Sequence, residues 1–425
     1  MAINLSHKYE NLISYLSINP KKEVYIFGAD IAGKVIMEIL RKKNIFITGF
    51  LDNNKNKCNT KISDVEVFHS KRLEKLNREN TIILIASTYV SDIAQQIESL
   101  GFMNWMLIHD IFISNKTLYS DMLNEDLKHN YSGGRFTDDF INFTVANMIE
   151  SQNKYLNSDW LYIRSVDLIV TERCSLKCKD CSNLMQYYDK AKNIHRDELL
   201  NDLEDLSQIS DEINEIRVIG GEPLMNKDFH EVCKAASEYK KFNKIVVYTN
   251  GTICPPDEKL KFLKNEKIFV FITTYGELSK NANKLAQKLE EFQINFNKQP
   301  AYGWTDSGKI KNYNRSEQLN KKLFKNCCAK HFITYTDGKL FRCPFSANLE
   351  RLHAVPVESF TDFYDIRSSL RLKDILTIKK DLKIFLREKD NLVACNFCNG
   401  RSYGQPEIEP GIQAEKIIDY EKYAR

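Results

Sequence analysis

The chain has 425 residues, 43% of them hydrophobic, and its 61 basic and 57 acidic side chains leave a formal net charge of +4. That length supplies cores for two or three domains at roughly 100 to 200 residues each, which argues against a single compact domain. Near-balanced charge with no long basic run excludes an extended phosphate-neutralising surface, so nucleic acid is not expected as a partner.

The opening stretch MAINLSHKYENLISYL lacks the charged segment, apolar core and small-residue cleavage site of a secretory signal. No apolar run approaches the roughly 18 residues of a membrane span. The expected location is the cytoplasm, where disulfides are rare, and eleven cysteines there point to metal ligation or catalysis before cross-linking.

Residues 21–54, KKEVYIFGADIAGKVIMEILRKKNIFITGFLDNN, read as strand, Gly-containing turn, helix, strand and acidic end. Gly28 and Gly33 bracket the turn, and Asp52 lies 24 residues after Gly28, near the spacing of a ribose-binding carboxylate. Asp30 replaces the middle glycine of the phosphate-binding pattern, and its carboxylate would repel a pyrophosphate. NTIILIAS (80–87) followed by SDIAQQIESLGF adds another strand and helix. The stretch resembles the Rossmann-like domains attached to enzymes of nucleotide-sugar and surface-glycan metabolism, which implies a domain that holds a nucleotide-linked substrate, docks, or serves as scaffold. A doubly wound domain is expected over 1–115. Residues 116–160 contain HNYSGGRFTDDF, which suits a linker, and DFINFTVANMIESQNKYL, an amphipathic helix leading into the next domain.

The apolar run VDLIV (166–170) has strand character and would deliver TERCSLKCKDCSNL (171–184) on the loop past its end. Cys174, Cys178 and Cys181 there leave gaps of three and two residues. A structural zinc site wants four ligands, usually in pairs, whereas a four-iron cluster held by three thiolates keeps one iron free for a small ligand. These residues resemble the radical S-adenosylmethionine (SAM) superfamily, whose signature is this loop after the first strand of a partial (β/α) barrel. The resemblance implies a [4Fe-4S] cluster whose open iron chelates SAM, reductive cleavage of SAM, and abstraction of a substrate hydrogen atom.

EIRVIGGEPLM (215–225) runs from an apolar strand into Gly220, Gly221, Glu222 and Pro223. Glycines permit close approach and a carboxylate suits an ammonium group. In the family such a Gly-Gly-Glu binds the amino group of SAM. KIVVYTNG (244–251) and KIFVFITTYG (267–276) are further strands, with RDELLNDLEDLSQI and ANKLAQKLEEF as helices, a β-α repetition that fits a parallel barrel over 161–322. By resemblance Thr249 and Asn250 would touch the ribose, and Thr273 and Tyr275 would lie near the cofactor. Asp180, where the family often has an aromatic residue, departs from the pattern and leaves the adenine contacts open.

KNCCAKHFITYTDGKLFRCPF (325–345) and ACNFCNG (394–400) supply a second set: Cys327 or Cys328, then Cys343, Cys395 and Cys398, enough to close one tetrahedral or cubane site. Only one of the adjacent pair is expected to ligate, since neighbouring side chains diverge, and Cys328 is preferred. TDGKLFRC reads as a β-hairpin turning at Asp337 and Gly338. The layout resembles the SPASM/twitch extension of radical SAM enzymes, which implies an auxiliary [4Fe-4S] cluster over 323–425; zinc fits the same four thiolates. Cys58, Cys233 and Cys254 have no partner spacing. The tail GQPEIEPGIQAEKIIDYEKYAR is polar and expected to finish on the surface.

The expected fold class is therefore α/β: a Rossmann-like doubly wound domain, a partial (β/α)6 radical SAM barrel, and a small twitch-like extension with a β-hairpin. The expected activity is an oxidation or epimerisation of a small-molecule substrate, a sugar or nucleotide sugar of surface-glycan synthesis, with flavodoxin or ferredoxin as electron donor. A peptide-modifying radical SAM enzyme and a non-catalytic iron-sulfur redox sensor are the alternatives. The Rossmann-like N-terminus argues against the first, and Gly-Gly-Glu against the second.

Overall fold

The computed structural model describes residues 12–113, 118–130, 134–155, 160–356, 360–402 and 407–423. Most of the opening stretch, residues 131–133 of the expected linker and residues 403–406 of the tail lie outside them. The chain divides into two compact units, 1–159 and 160–425. No helix among the described residues is long and apolar enough to cross a membrane.

The first unit carries β1 (Glu23–Phe27), β2 (Gly49–Asp52), β3 (Lys61–Ile62), β4 (Val65–His69), β5 (Thr81–Ile85) and β6 (Trp105–Leu107), in spatial order β3-β4-β2-β1-β5-β6. Only β3 runs antiparallel to its neighbour. Strands EVYIF and TIILI are apolar throughout because both faces are covered. Val24, Ile26, Ile82 and Leu84 pack with the helix Ile31–Arg41, while Tyr25, Phe27, Ile83 and Ile85 pack with the helix Val90–Ser99. That is the doubly wound arrangement expected from the sequence.

The helix expected to lead into the barrel belongs elsewhere. Asp138–Tyr155 buries Ile141, Val145, Met148 and Ile149 in the core shared with Ile31–Arg41. Its fully buried Gln152 accepts from the backbone N–H groups of Ile108 (2.8 Å) and His109 (3.0 Å) and donates to the Ile85 carbonyl at 2.7 Å. The helix thereby satisfies backbone groups just beyond β5 and β6 and completes the first unit instead of bridging to the second.

In the second unit, β7 (Tyr162–Ile163) is a short strand on β9, and β8 (Val166–Thr171), β9 (Glu212–Gly220), β10 (Phe242–Thr249), β11 (Ile268–Thr274) and β12 (Asn295–Pro300) lie side by side in chain order, all parallel. Helices Arg196–Ile209, Phe229–Glu238 and Ala282–Glu291 cover the outer face, where Leu168, Val218, Val247 and Ile272 meet Leu203, Val232 and Leu285. After β13 (Trp304–Thr305) the chain returns to the other edge. There β14 (Ile333–Thr336) pairs parallel to β8, and β15 (Lys339–Phe341) and β16 (Phe363–Asp365) follow antiparallel. The sheet path ends at β12 and β16, so among the described residues the barrel is partial and open.

The β14–β15 turn is the one the sequence marks. Asp337 and Gly338 take φ of 54° and 76°, the left-handed pair of a two-residue hairpin. The hairpin expected for a separate extension is part of the barrel sheet itself.

Candidate active site

Cys174, Cys178 and Cys181 stand on the loop that leaves the end of β8, as their position after VDLIV predicts. Burial, then the neighbouring Cys181, pushes the Cys178 thiol up to about 11, and burial also raises Cys174 and Cys181. With their values raised the three are neutral thiols as the chain stands, and holding all three as thiolates would take a compensating cation. The Asn250 side-chain amide lies 3.7 Å from the Cys174 sulfur and 3.1 Å from the Ser175 hydroxyl. Tyr275, one residue past β11, has its phenol raised by burial and then by the charges of Cys181, Cys178 and Cys174.

Beside this loop, the end of β9 is pressed against β8. A Cβ on Gly220 would stand 2.1 Å from the Thr171 carbonyl oxygen, and one on Gly221 2.3 Å from that of Arg173, so no larger residue fits at either position. Glu222, fully buried, follows. Its Oε1 accepts from the Thr249 hydroxyl (2.8 Å) and the Leu224 N–H (3.1 Å), and its Oε2 from the Asn250 N–H at 2.7 Å. Burial pushes this carboxyl up to about 7, and those three donors pull against the rise. Pro223 opens the 3-10 turn Pro223–Met225 for which Glu222 is the N-cap.

The Thr249 hydroxyl, expected at a ribose, is held by Glu222 and by the Gly251 N–H at 3.2 Å. Thr273 sits on β11 opposite Gln299 of β12. Gly220, Gly221, Glu222, Pro223, Thr249 and Asn250 thus converge with the cysteine loop, and Thr273 lies two residues before Tyr275.

Sequence reasoning missed Gln413, whose side-chain amide donates to the Cys178 sulfur at 3.4 Å. It also missed Arg351, 4% exposed, which bonds Glu172 at 2.5 Å, two residues before Cys174. Neither has a local sequence signal, since each partner is more than 170 residues away.

The later cysteines gather around a cavity whose wall includes Cys327, Cys343, Cys395 and Cys398, with Ser182 and Arg401. Cys343 is raised by burial and then by Cys395, Cys327 and Cys398. Burial and then Cys327 push Cys398 up to about 12. Cys328 does not line that cavity. Cys327, the extended C-cap of Glu317–Asn326, lines the cavity with the other three, whereas Cys328, the preferred ligand by sequence, starts the next 3-10 turn and is not part of that wall.

Strand alternation places Asp167, Arg217, Tyr248 and Phe271 on the concave side of the sheet, opposite the outer core. Arg217 lies 3.2 Å from buried Asp167 and its guanidinium is 4.7 Å from the Tyr248 ring centroid. Tyr248 packs on Phe271 with centroids 5.4 Å apart. Burial, only partly offset by Arg217, raises Asp167 to about 6. Asn297 and Gln299 of β12 continue this polar wall.

In the first unit, the residues that would take a nucleotide hold one another. Asp52 accepts from the Ala29 N–H at 3.0 Å and from the Asn54 N–H at 2.8 Å. Asp30 accepts from the Ile31 N–H at 3.0 Å at the start of Ile31–Arg41, and Lys57 pairs with Asp30 at 3.0 Å and Asp52 at 3.6 Å. The helix N-terminus therefore already carries an internal anion.

Residues 168–277 match the profile of the Radical SAM superfamily, and residues 20–107 that of C2185-like, N-terminal. A GTP 3',8-cyclase of Clostridium acetobutylicum is 30% identical over 133 residues, 28% of this chain and 41% of the relative. That of Aliarcobacter butzleri is 29% identical over 140 residues, 29% of this chain and 39% of the relative. The chain thus spans about two fifths of the length of these curated relatives. Among solved structures, BtrN in complex with AdoMet and 2-DOIA aligns at 18% identity over 61% of this chain and 98% of that one, with a TM-score of 0.35. UDP-D-quinovosamine 4-dehydrogenase from Vibrio fischeri aligns at 28% identity over 20% of this chain and 75% of that one, with a TM-score of 0.18. The Radical SAM profile match spans both the three-cysteine loop and the Gly-Gly-Glu strand end, and it is this segment of the chain that is similar to the radical SAM superfamily.

Proposed function

We propose that Cys174, Cys178 and Cys181 hold the [4Fe-4S] cluster, that Glu222 with Gly220, Gly221 and Pro223 receives the amino group of SAM, and that the substrate is a small polar metabolite of the sugar or nucleotide-sugar class. The observation that carries this reading is the buried Glu222 carboxylate, held by three donors beside the cysteine loop. A carboxylate so dry is best completed by a cation, and the ammonium group of SAM is one. Cluster and SAM together supply the abstraction of a hydrogen atom.

The chain's own residues orient the reactants. Asn250 ties Glu222 to the cysteine loop through its backbone and side chain. On the concave face, Asp167, Arg217, Asn297 and Gln299 offer the donors and acceptors that hydroxyl groups need, and Tyr248 with Phe271 offers an aromatic wall for a ring. Cys327, Cys343, Cys395 and Cys398, which line one cavity, are the proposed ligands of an auxiliary [4Fe-4S] cluster, which would supply an electron acceptor and favour oxidation over epimerisation. Flavodoxin or ferredoxin is the proposed electron donor. A purine nucleotide is the second reading of the substrate, favoured by the alignment with proteins named GTP 3',8-cyclase.

The test is anaerobic reconstitution followed by dithionite, SAM and a panel of sugars, nucleotide sugars and GTP, with 5'-deoxyadenosine quantified. Formation accelerated by one sugar or nucleotide sugar and abolished by Cys174→Ala supports the reading. Acceleration by GTP alone moves the chain to the second reading, and no 5'-deoxyadenosine from a fully loaded protein would sink both.

A further inference from the structure

The tail has the exposed residues expected of a surface segment, and it runs along the cysteine loop. Lys179 donates its N–H to the Ile412 carbonyl at 2.8 Å, and Ala414 donates its own to the Lys177 carbonyl at 2.6 Å, an antiparallel bridge centred on Cys178 and Gln413. Before it, Glu407–Ile408 pairs with β13, and a Cβ on Gly411 would stand 2.8 Å from the Tyr275 ring. After it, Ile418 donates to the Gln186 carbonyl at 3.1 Å and Tyr420 packs edge-on against Tyr187, centroids 5.4 Å apart. The tail therefore crosses the loop from Lys177 to Tyr187.

The Gln413 amide reads the loop with both ends. Its Oε1 accepts the Lys177 N–H at 2.8 Å, while its Nε2 donates to the Gly411 carbonyl at 2.6 Å and faces the Cys178 sulfur at 3.4 Å. Reversing the amide would set its oxygen against the Gly411 carbonyl and its NH2 against the Lys177 N–H. The orientation is thus fixed by three contacts.

We propose that residues 411–414 are a strap that fixes the cysteine loop, and that Gln413 is a positioning residue whose side-chain N–H donates to a cluster-ligating sulfur and so sets the cluster's reduction potential. This rests on the reading of Cys178 as a ligand. A donor to a ligand sulfur favours the reduced, more negative state, and a covered ligand also sees less water. Removing the donor lowers the potential.

Gln413→Met keeps the length and removes the donor; Gln413→Glu keeps an acceptor for Lys177 and turns a second acceptor toward the sulfur. Reconstituted wild type and both variants are titrated anaerobically, with the reduced cluster followed by electron paramagnetic resonance. At a fixed poise the ratio of reduced to oxidised cluster is expected to fall about threefold to tenfold in Gln413→Met and further in Gln413→Glu, tenfold being ~59 mV for one electron.

Wild-type titrations in both loaded variants overturn the proposal. Cys178→Ala separates it from the reading beneath it: if that variant keeps the wild-type signal, Cys178 is no ligand and the proposal falls with that reading. Where a Gln413 variant takes up no iron, hydrogen exchange of the Lys177 and Lys179 amides is compared in the metal-free chains. Faster exchange than wild type upholds the strap, and an unchanged rate overturns it.

Discussion

Glu222 accepts the backbone N–H of Asn250 at 2.7 Å, joining the ends of two neighbouring parallel strands through a carboxylate that water does not reach. Burial raises that carboxyl to about 7, so it is only partly ionised in neutral solution. Without ligand, its contribution to stability is full below the unfolded value of 4.5 and is lost as pH rises through 7. Binding of an ammonium group runs the other way, because the ionised form is the one bound. SAM affinity of the reconstituted protein, read by anaerobic calorimetry, is expected to rise roughly eightfold from pH 6 to 7.5. Glu222→Gln should weaken binding and flatten that dependence; an unchanged slope would remove Glu222 from the SAM site.

Cys327 and Cys328 are chemically alike and adjacent, so their alanine variants form an internal control. With Cys327 on the cavity wall beside Cys343, Cys395 and Cys398, Cys327→Ala is expected to lose the iron of one cluster, about four atoms per chain. Cys328→Ala should keep it. The reverse pattern in iron analysis would restore Cys328 as the ligand, and zinc in place of iron in the purified protein would change the metal.

Arg351 bonds Glu172, Asp337 and the Thr336 hydroxyl while nearly excluded from solvent. Arg351→Met leaves Glu172 buried without its cation, which typically costs about 3–5 kcal/mol. A marked fall in Tm is the expected outcome, with impaired cluster loading because Glu172 precedes the cysteine loop. A variant with wild-type Tm would show that this pair is compensated by water or by neighbours.

In the first unit, Asp52 and Asp30 are both engaged by Lys57 and by backbone N–H groups around the Gly28 turn. A nucleoside diphosphate would have to displace these contacts and meet the Asp30 charge. Any nucleotide-sugar binding by the full chain is therefore expected to be the same in wild type and Asp52→Ala. Loss of an isotherm in that variant would instead assign the nucleotide to the first unit.

Much of this protein is written locally in the chain. The strands VDLIV, IRVI and KIVVYTNG, the helix RDELLNDLEDLSQI and the Asp337-Gly338 turn follow from apolar periodicity and turn chemistry, which act within a few residues. The three-cysteine loop and the Gly-Gly-Glu strand end are equally local, so the resemblance to the radical SAM superfamily was legible in the sequence. The tertiary structure decided what depends on distant partners. It placed Asp138–Tyr155 in the first unit through Gln152, brought Cys327 to the second cysteine site, and turned the Thr249 hydroxyl to Glu222. It also laid a polar tail across the cysteine loop, where Gln413 meets Cys178. A polar residue at a chain end and one at a buried sulfur site look the same in sequence, because hydrogen bonds across 235 residues leave no periodicity to read.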